Sequence, residues 1–381
     1  MKKLIAVPVM LALVAFGAFA QEVSVGGGVV AHTNLIQGDN NDDSEITTSG
    51  TTQILRLEVS AEMDTIVGTF GAWLRVQPSL ATWGPTYAPE AERRLIFSSN
   101  TWGHLWWAPN DMFRLTLGEH PGAWWSRDGI ARWGFYSMVQ DVLGPGFMWN
   151  MNWGAFHGTG THDYGLSFFP GFAGGLLIEL TPNEMVQVRV GLPVLDGGET
   201  SDVFANLVGQ LGLNLDFGTI ALTYRGHAGD GNNGSIFAYL HLGMIEGLGI
   251  DFGIGAHLHE EDPEIGIGLA VNAVINPEFG IRARLQADID TAEGAPLDML
   301  FELLPSFNVA PGVTAFLGTG LSLRSPDVGN ASIGFYVFPY VRLGSLWGPS
   351  LYAGFELRSV SLDGGDAAIN WRVPLGLHFF F

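Results

Sequence analysis

Cysteine is absent from the 381-residue chain, and lysine occurs only as Lys2 and Lys3. The lack of cysteine excludes disulfides, thiolate nucleophiles and attachment of lipid to a cysteine. After the apolar segment that ends near residue 20, no apolar run reaches the 18 residues of a membrane-spanning helix. Only 14% of the residues are charged although 47% are hydrophobic. This balance is expected of a chain whose many strands are apolar on one side only.

The first twenty residues, MKKLIAVPVMLALVAFGAFA, have the layout of a secretory signal peptide. Two lysines precede an apolar run from Leu4, and the small-x-small pattern of a cleavage site ends at Ala20. We therefore expect residues 1–20 to be removed and residues 21–381 to form one domain. A retained membrane anchor is the alternative, although the run is short for a span.

Apolar and polar residues alternate through much of the remaining chain. The segments IGIGLAVNAVI (265–275) and IRARLQADI (281–289) place apolar side chains at every second position, and the turn residues NPEFG separate them. Each run has about the 9–11 residues that a tilted transmembrane strand requires. The connections alternate between short turns and long polar loops, which is typical of outer-membrane barrels.

This alternation predicts an all-β protein with a single closed antiparallel transmembrane β-barrel. We expect 18–20 strands, with 16 as the lower alternative, and an even number because both chain ends are expected in the periplasm. The sheet must close on itself because no unpaired strand edge can face lipid. A soluble β-sandwich or propeller would show similar alternation and is the alternative fold.

The segment WRVPLGLHFFF (371–381) continues the alternation to the end of the sequence. Here the sequence resembles Gram-negative outer-membrane β-barrel proteins of the porin kind, whose final apolar alternation ending in Phe is recognised by the barrel-assembly machinery. The long loops, acidity and tryptophan content also resemble those of spirochaete outer-membrane proteins, and no motif assigns a subfamily. The resemblance implies export to the outer membrane and contact with its lipid. The residues of the implied assembly signal are Val373, Leu375, Leu377, Phe379 and Phe381.

A barrel of 16 or more strands encloses a water-filled lumen, so we expect the polar phase of each strand to carry the function. The sequence predicts a porin for passive diffusion of small hydrophilic solutes. Either a basic wall faces an acidic wall, or local pairs such as Arg56–Glu58 and Arg358–Glu356 neutralise one another. The candidate lumen residues are Arg56, Arg75, Arg114, Arg189, Arg282, Arg284, Glu58, Asp216, Asp251, Asp288, Glu302 and Glu356. The same phase contains Glu179, Arg225, Arg358 and Arg372.

The mature chain is strongly acidic. Without its two lysines it keeps 15 arginines against 38 acidic residues, a formal net charge of −23. Because the inward charges nearly balance, the excess acid belongs to predicted loops such as 38–45 and 259–264. Acidic loops attract cations to a channel mouth, most strongly at low salt. The alternative is that they only keep the surface soluble.

Tryptophan is concentrated in one part of the chain, because ten of the 12 lie between residues 73 and 153. Trp106 and Trp107 stand beside a short turn and are predicted to join the aromatic girdle at the membrane interface. Loop 120–145 is too apolar to remain in water, and we expect it to fold inward and narrow the lumen. The alternative function is a surface-exposed adhesin or structural barrel that binds a host or matrix partner through its long loops. The constriction residues would be Trp124, Trp125, Trp133, Phe135 and Tyr136.

The sequence contains no GxSxG, HExxH or phosphate-binding loop. We therefore expect no enzymatic activity, no cofactor and no nucleic-acid partner. His257 and His259 share a phase within HLHEEDPE and are weak candidates for a metal site, which a charged hairpin tip explains equally well. The sequence names neither the solute nor the oligomeric state, for which a trimer is one option.

Overall fold

The computed structural model of the chain describes residues 22–39, 47–83, 94–119, 174–193, 200–226, 232–259, 263–291, 297–325, 332–345, 348–361 and 365–380. The predicted signal peptide lies outside the described residues. So do loop 120–145 with its five aromatic candidates, and Phe381.

Most of the described residues belong to β-strands, which their alternating apolar and β-branched side chains favour. The strands are β1 (Glu22–Asp39), β2 (Thr47–Thr65), β3 (Gly68–Trp83), β4 (Arg94–Asn110), β5 (Phe113–Glu119), β6 (Gly174–Asn183), β7 (Val186–Pro193), β8 (Val208–Leu215), β9 (Gly218–Arg225), β10 (Asn232–Ile245), β11 (Leu248–His259), β12 (Glu264–Asn276), β13 (Phe279–Asp290), β14 (Leu297–Ala310), β15 (Val313–Ser325), β16 (Ser332–Gly344), β17 (Ser350–Gly354), β18 (Glu356–Ser361) and β19 (Ala368–Phe380). One short helix, α1 (Thr200–Ala205), precedes β8. Within the described ranges, no helix is both long and apolar enough to cross a membrane.

The strands form one antiparallel sheet in which chain neighbours are usually sheet neighbours. Strand β1 pairs with β2 and also with β19. Strands β17 and β18 are separated by Phe355, and both pair with β16 and β19, so together they occupy one place in the sheet. The predicted all-β antiparallel architecture is confirmed.

Short turns and long connections alternate along the described chain. Two residues join β2 to β3 and β12 to β13, whereas β3 and β4 are joined by residues 84–93 and β5 and β6 by residues 120–173. Since consecutive strands run in opposite directions, the short turns gather at one end of the strands, called here the short-turn end. The predicted alternation of connections is therefore present in the fold.

Three of the short turns repeat one asparagine device. Asn276 ends β12, and its side-chain Oδ1 accepts hydrogen bonds from the backbone N–H groups of Glu278 (3.0 Å) and Phe279 (2.7 Å). Asn110 and Asn183 accept the corresponding pair of bonds in their own turns. Asparagine favours such turns because its short side chain replaces a backbone acceptor.

The two faces of the sheet differ in polarity. On β13 and β14, Arg284 and Glu302 lie on one face and are buried, whereas Leu285 and Phe301 lie on the other and are 41% and 44% exposed. We call the first the polar face and the second the apolar face. Most strands continue this pattern, which reverses the usual distribution in water-soluble proteins. An apolar outer medium accounts for it.

On part of the polar face, aromatic rings cover glycines of the neighbouring strand. Tyr336 lies over Gly320, and Phe338 lies over Gly318. A Cβ atom at either glycine would stand 2.0 Å or less from the ring. Glycine is therefore required for this close approach, and the rings pin the register of β15 against β16.

Candidate functional site: the polar face of the sheet

Among the described residues, one polar cluster crosses five strands, from β5 to β9. Glu179 on β6 lies between two arginines, with its carboxylate 3.7 Å from Arg114 Nε and 3.3 Å from Arg189 Nε. Arg189 Nη1 donates to Gln210 Oε1 at 3.3 Å, and Gln210 Nε2 donates to Thr223 Oγ1 at 3.1 Å. These residues stand opposite one another in register, so the sheet itself aligns them. The cluster carries one more guanidinium than carboxylate.

A second cluster crosses β13 to β16. Arg284 forms an ion pair with Glu302, and the Tyr336 hydroxyl donates a hydrogen bond to the same carboxylate. The pair is nearly inaccessible, since the side chains are 5% and 1% exposed. Gly320 stands between Glu302 and Tyr336 in the register, and its missing side chain lets the tyrosine reach across β15.

A third group lies on β2, β3 and β4. Arg75 forms an ion pair with Glu58, which stands directly opposite it in the register. The Arg75 guanidinium lies 5.1 Å from the centre of the Trp73 ring. His104 stacks on Trp73 with ring centres 5.1 Å apart and an interplanar angle of 25°. Aromatic residues therefore share the polar face with charged ones here.

The neighbouring tryptophans Trp106 and Trp107 face opposite sides of β4. Trp107 lies on the apolar face near the short turn, where it contacts Phe70 and Phe113 and donates from Nε1 to the Val67 carbonyl at 2.9 Å. Trp106 lies on the polar face, with the Arg114 guanidinium 4.3 Å from its ring centre. The prediction of a girdle position suits Trp107 and was wrong for Trp106, because successive residues of a strand point to opposite faces.

A fourth group lies on β10 and β11. The Asp251 carboxylate accepts a hydrogen bond from the Tyr239 hydroxyl, and its Oδ1 lies 2.8 Å from His241 Nδ1. The sequence pattern predicts a role for Asp251 but not for Tyr239 and His241. Both share the polar phase of β10, and reading that phase through to the turn would have found them.

The remaining candidates are spread along the sheet. Arg282 donates from Nε to Asn272 Oδ1 at 3.1 Å. Glu356 is buried and stands opposite Arg372 in the register. Asp216 lies in the exposed turn between β8 and β9, because β8 ends at Leu215. The side chains of four candidates lie outside the described part, although their backbones belong to β2, β11 and β13: Arg56, His257, His259 and Asp288.

The proposed assembly residues of β19 share its apolar face. Leu377 and Phe379 are exposed there, and the alternate positions Pro374 and Gly376 are buried on the other face. Val373 and Leu375 continue the same phase.

Arginines and carboxylates are interleaved on the polar face. Arg75, Arg114, Arg189 and Arg284 each lie next to a carboxylate on a neighbouring strand. These four arginines therefore form local pairs with carboxylates, which favours the local-pair alternative over a basic wall opposite an acidic one. The pairs run across strands, whereas the sequence-based alternative of local pairs places both partners on one strand. No group of three metal-ligating side chains occurs among the described residues.

Such a face offers many hydrogen-bond donors and acceptors with little local net charge. Cross-strand ion pairs hold planar guanidinium and carboxylate groups in fixed orientations. This chemistry suits transient contact with polar solutes better than tight binding of one ion.

No protein-family model matches the sequence, and a comparison with curated proteins found no match. Solved structures do match. OccAB4 of Acinetobacter baumannii is 11% identical over 95% of this chain and 99% of its own, with a TM-score of 0.56. OprD of Pseudomonas aeruginosa is 11% identical over 95% of this chain and 96% of its own, also with a TM-score of 0.56. At this level of identity the similarity establishes the fold: the chain is folded like outer-membrane porins and channels.

Proposed function

We propose that the chain forms a closed β-barrel in the outer membrane. The pairing of β1 with both β2 and β19 supports closure. Nineteen described strands, with β17 and β18 counted as one crossing, give 18 strands. An even number with all-antiparallel pairing suits a bacterial transmembrane barrel. In this arrangement the apolar face contacts lipid and the polar face lines the lumen.

The barrel is a porin that lets small hydrophilic solutes diffuse through a water-filled lumen. The observation that carries this function is the separation of the two faces along most of the described strands, with ion-paired polar groups on one face and exposed apolar side chains on the other. At 18 strands the enclosed space is too wide for side chains to fill, and it admits water. The function needs no cofactor and no catalytic residue.

For export and assembly, we propose the steps that the sequence predicts. Residues 1–20 act as a signal peptide, and the barrel-assembly machinery inserts the chain by way of the apolar residues of β19. Both steps lie upstream of the function and are separable from it.

Purified protein in a planar lipid bilayer tests the function. An open lumen gives stable stepwise increases in conductance. Protein that is folded, inserted and yet silent, and that binds host matrix, would instead support the surface adhesin. A salt gradient across the same bilayer reports the preference for cations or anions.

Loop 120–145 narrows the lumen in this proposal. Its aromatic residues, Trp124, Trp125, Trp133, Phe135 and Tyr136, are costly to expose to water and find apolar contacts by folding inward. Deleting residues 124–139 is therefore expected to raise the single-channel conductance. An unchanged conductance would place the loop away from the constriction.

A further inference from the structure

Three tryptophans and a histidine occupy the polar face of β3 and β4. Elsewhere this face also carries aromatic rings, such as Tyr336, Phe338 and Tyr340 of β16, but these are fully buried. All four rings are half-buried, so each keeps part of its surface accessible. They form three successive rows in the register: Trp106 opposite Gly71, His104 opposite Trp73, and Trp102 opposite Arg75. We call these four residues the aromatic strip.

The aromatic strip runs along the strands, starting near the short-turn end. Successive rows are two residues apart, which is about 7 Å along a strand, so the three rows extend over roughly 14 Å. That length suits a short linear molecule of two or three rings and exceeds what a single ion needs. In the proposed barrel the strip follows the path of a passing solute.

Trp102 differs from the other rings of the strip in its described contacts. Within the part of the chain that the structure describes, its side chain has no ring contact and no hydrogen bond. Trp73 is covered on one side by His104, and Trp106 lies between Gly71 and the Arg114 guanidinium. Trp102 is therefore the ring on which we expect a ligand to stack.

Hydrogen-bonding groups lie directly beside the open ring. Arg75, opposite Trp102, is paired with Glu58, and their side chains are 14% and 23% exposed. The pair presents guanidinium donors and carboxylate acceptors together while carrying no net charge. Such a pair can donate hydrogen bonds to one hydroxyl group of a ligand and accept them from the next, whereas an isolated arginine would favour binding of an anion.

We propose that the aromatic strip binds neutral oligosaccharides during their passage through the channel, an inference that rests on the proposed porin function. A sugar ring has an apolar C–H side, which packs on an indole, and a rim of hydroxyls, which reach the Arg75–Glu58 pair. Purely ionic solutes lack the first property and purely apolar ones lack the second. The strip thus supplies both halves of sugar recognition in one place.

Saturation-transfer NMR on the full chain in detergent micelles tests the site without requiring conduction. Maltotriose is the probe, and a polyethylene glycol of matched size is the control ligand because it lacks sugar rings. We expect saturation of the maltotriose ring C–H protons and none above background for the polymer. Equal transfer to both would overturn the proposal.

Substitutions locate the binding. Trp102→Leu is expected to weaken maltotriose binding about fivefold, the loss that one stacking contact produces. Trp102→Phe should restore most of the binding, since it keeps an aromatic ring. Trp107→Leu is the matched control, because it removes an indole from the same strand on the opposite face. Equal weakening by Trp102→Leu and Trp107→Leu would refute the site.

Planar-bilayer recordings test the sugar site separately from the proposed porin function. Maltotriose should interrupt the current of the open channel, and the interruptions should shorten about fivefold in Trp102→Leu. If the inserted protein gives no conductance, the proposed channel function is wrong. If it conducts but maltotriose does not interrupt the current, only the proposed sugar site is wrong.

Discussion

Tyr336 on β16 donates a hydrogen bond to Glu302 on β14, although β15 lies between the two strands. The contact exists because Gly320 of β15 has no side chain to block it. The same carboxylate pairs with Arg284 on β13, so one buried group joins side chains from three strands, β13, β14 and β16, across the intervening β15. This row shows how side chains on the polar face reinforce the backbone ladder of the sheet.

Filling the gap at Gly320 should break this row. A Cβ atom there would stand 2.0 Å from the Tyr336 ring, so we expect Gly320→Val to lower the free energy of unfolding by about 1–3 kcal/mol. Guanidinium titration followed by tryptophan fluorescence measures the change. Gly209→Ala is the control, because nothing lies within 4 Å of its added Cβ. A similar loss in both variants would contradict the steric explanation.

Removing one charge of the buried pair should cost more than removing both. Glu302→Gln removes the negative charge that faces the buried Arg284, and we expect a loss of about 3–5 kcal/mol in unfolding free energy. The double variant Arg284→Met/Glu302→Leu should recover much of it. Glu278→Gln, in an exposed turn, should change stability by less than about 0.5 kcal/mol. Unfolding midpoints in denaturant measure the loss of stability in the three variants. If the loss in the double variant equals the sum of the losses from its single substitutions, the two residues are not coupled.

The asparagine turns should depend on the side-chain acceptor. Asn276→Ala removes the acceptor of two backbone hydrogen bonds, and we expect it to lower unfolding free energy by about 1–2 kcal/mol. Asn276→Asp keeps an oxygen at the same position and should remain near the original stability. If both substitutions behave alike in denaturant titration, the turn does not rely on this oxygen.

The apolar face should reject charge when the protein is in a bilayer. Leu285 is 41% exposed on that face, and Leu285→Arg is expected to cost about 2–4 kcal/mol near the bilayer midplane. Leu285→Ala separates the loss of the side chain from the added charge. Unfolding from lipid vesicles provides the measurement. Tolerance of the arginine would mean that this face does not contact lipid.

The acidic loops should govern ion preference. Asp42→Asn, Asp43→Asn and Glu45→Gln together remove three negative charges from segment 38–45, and we expect the cation preference to fall, most at low salt. Reversal potentials under a salt gradient measure it. Asp42→Glu with Asp43→Glu keeps the charge and should keep the preference. If the neutral triple variant has the same reversal potential as the original protein, the lumen wall and not these loops determines ion selectivity.

The architecture could be predicted from the sequence because the patterns that indicate it lie within short segments of the chain. Alternation and turn residues can be read within about ten residues, so the all-β sheet and the order of short and long connections followed directly. Phase within a strand was equally accessible, and Arg284 and Glu302 lie on the polar face as predicted. Asp216 was misplaced because strand ends shift by a residue or two without changing the pattern.

Contacts between strands could not be predicted in the same way. The pairs Glu58–Arg75 and Glu179–Arg189 depend on the register of their hairpins, which the turns fix and which the alternation within one strand does not contain. The role of Gly320 is invisible until Tyr336 is known to lie opposite. Trp106 was assigned by its closeness to a turn, when its phase relative to Trp107 was the stronger evidence.

The pairing of β1 with β19 joins segments Glu22–Asp39 and Ala368–Phe380, which stand far apart along the chain. Most other pairings join strands that follow one another, so those hairpins can form locally. The β1–β19 pairing, called here the seam, forms only when two distant segments of the chain meet. Until it forms, two bare strand edges remain open to foreign strands, and intermolecular cross-pairing is the expected failure of slow assembly. The seam is therefore the step that a chaperone would protect.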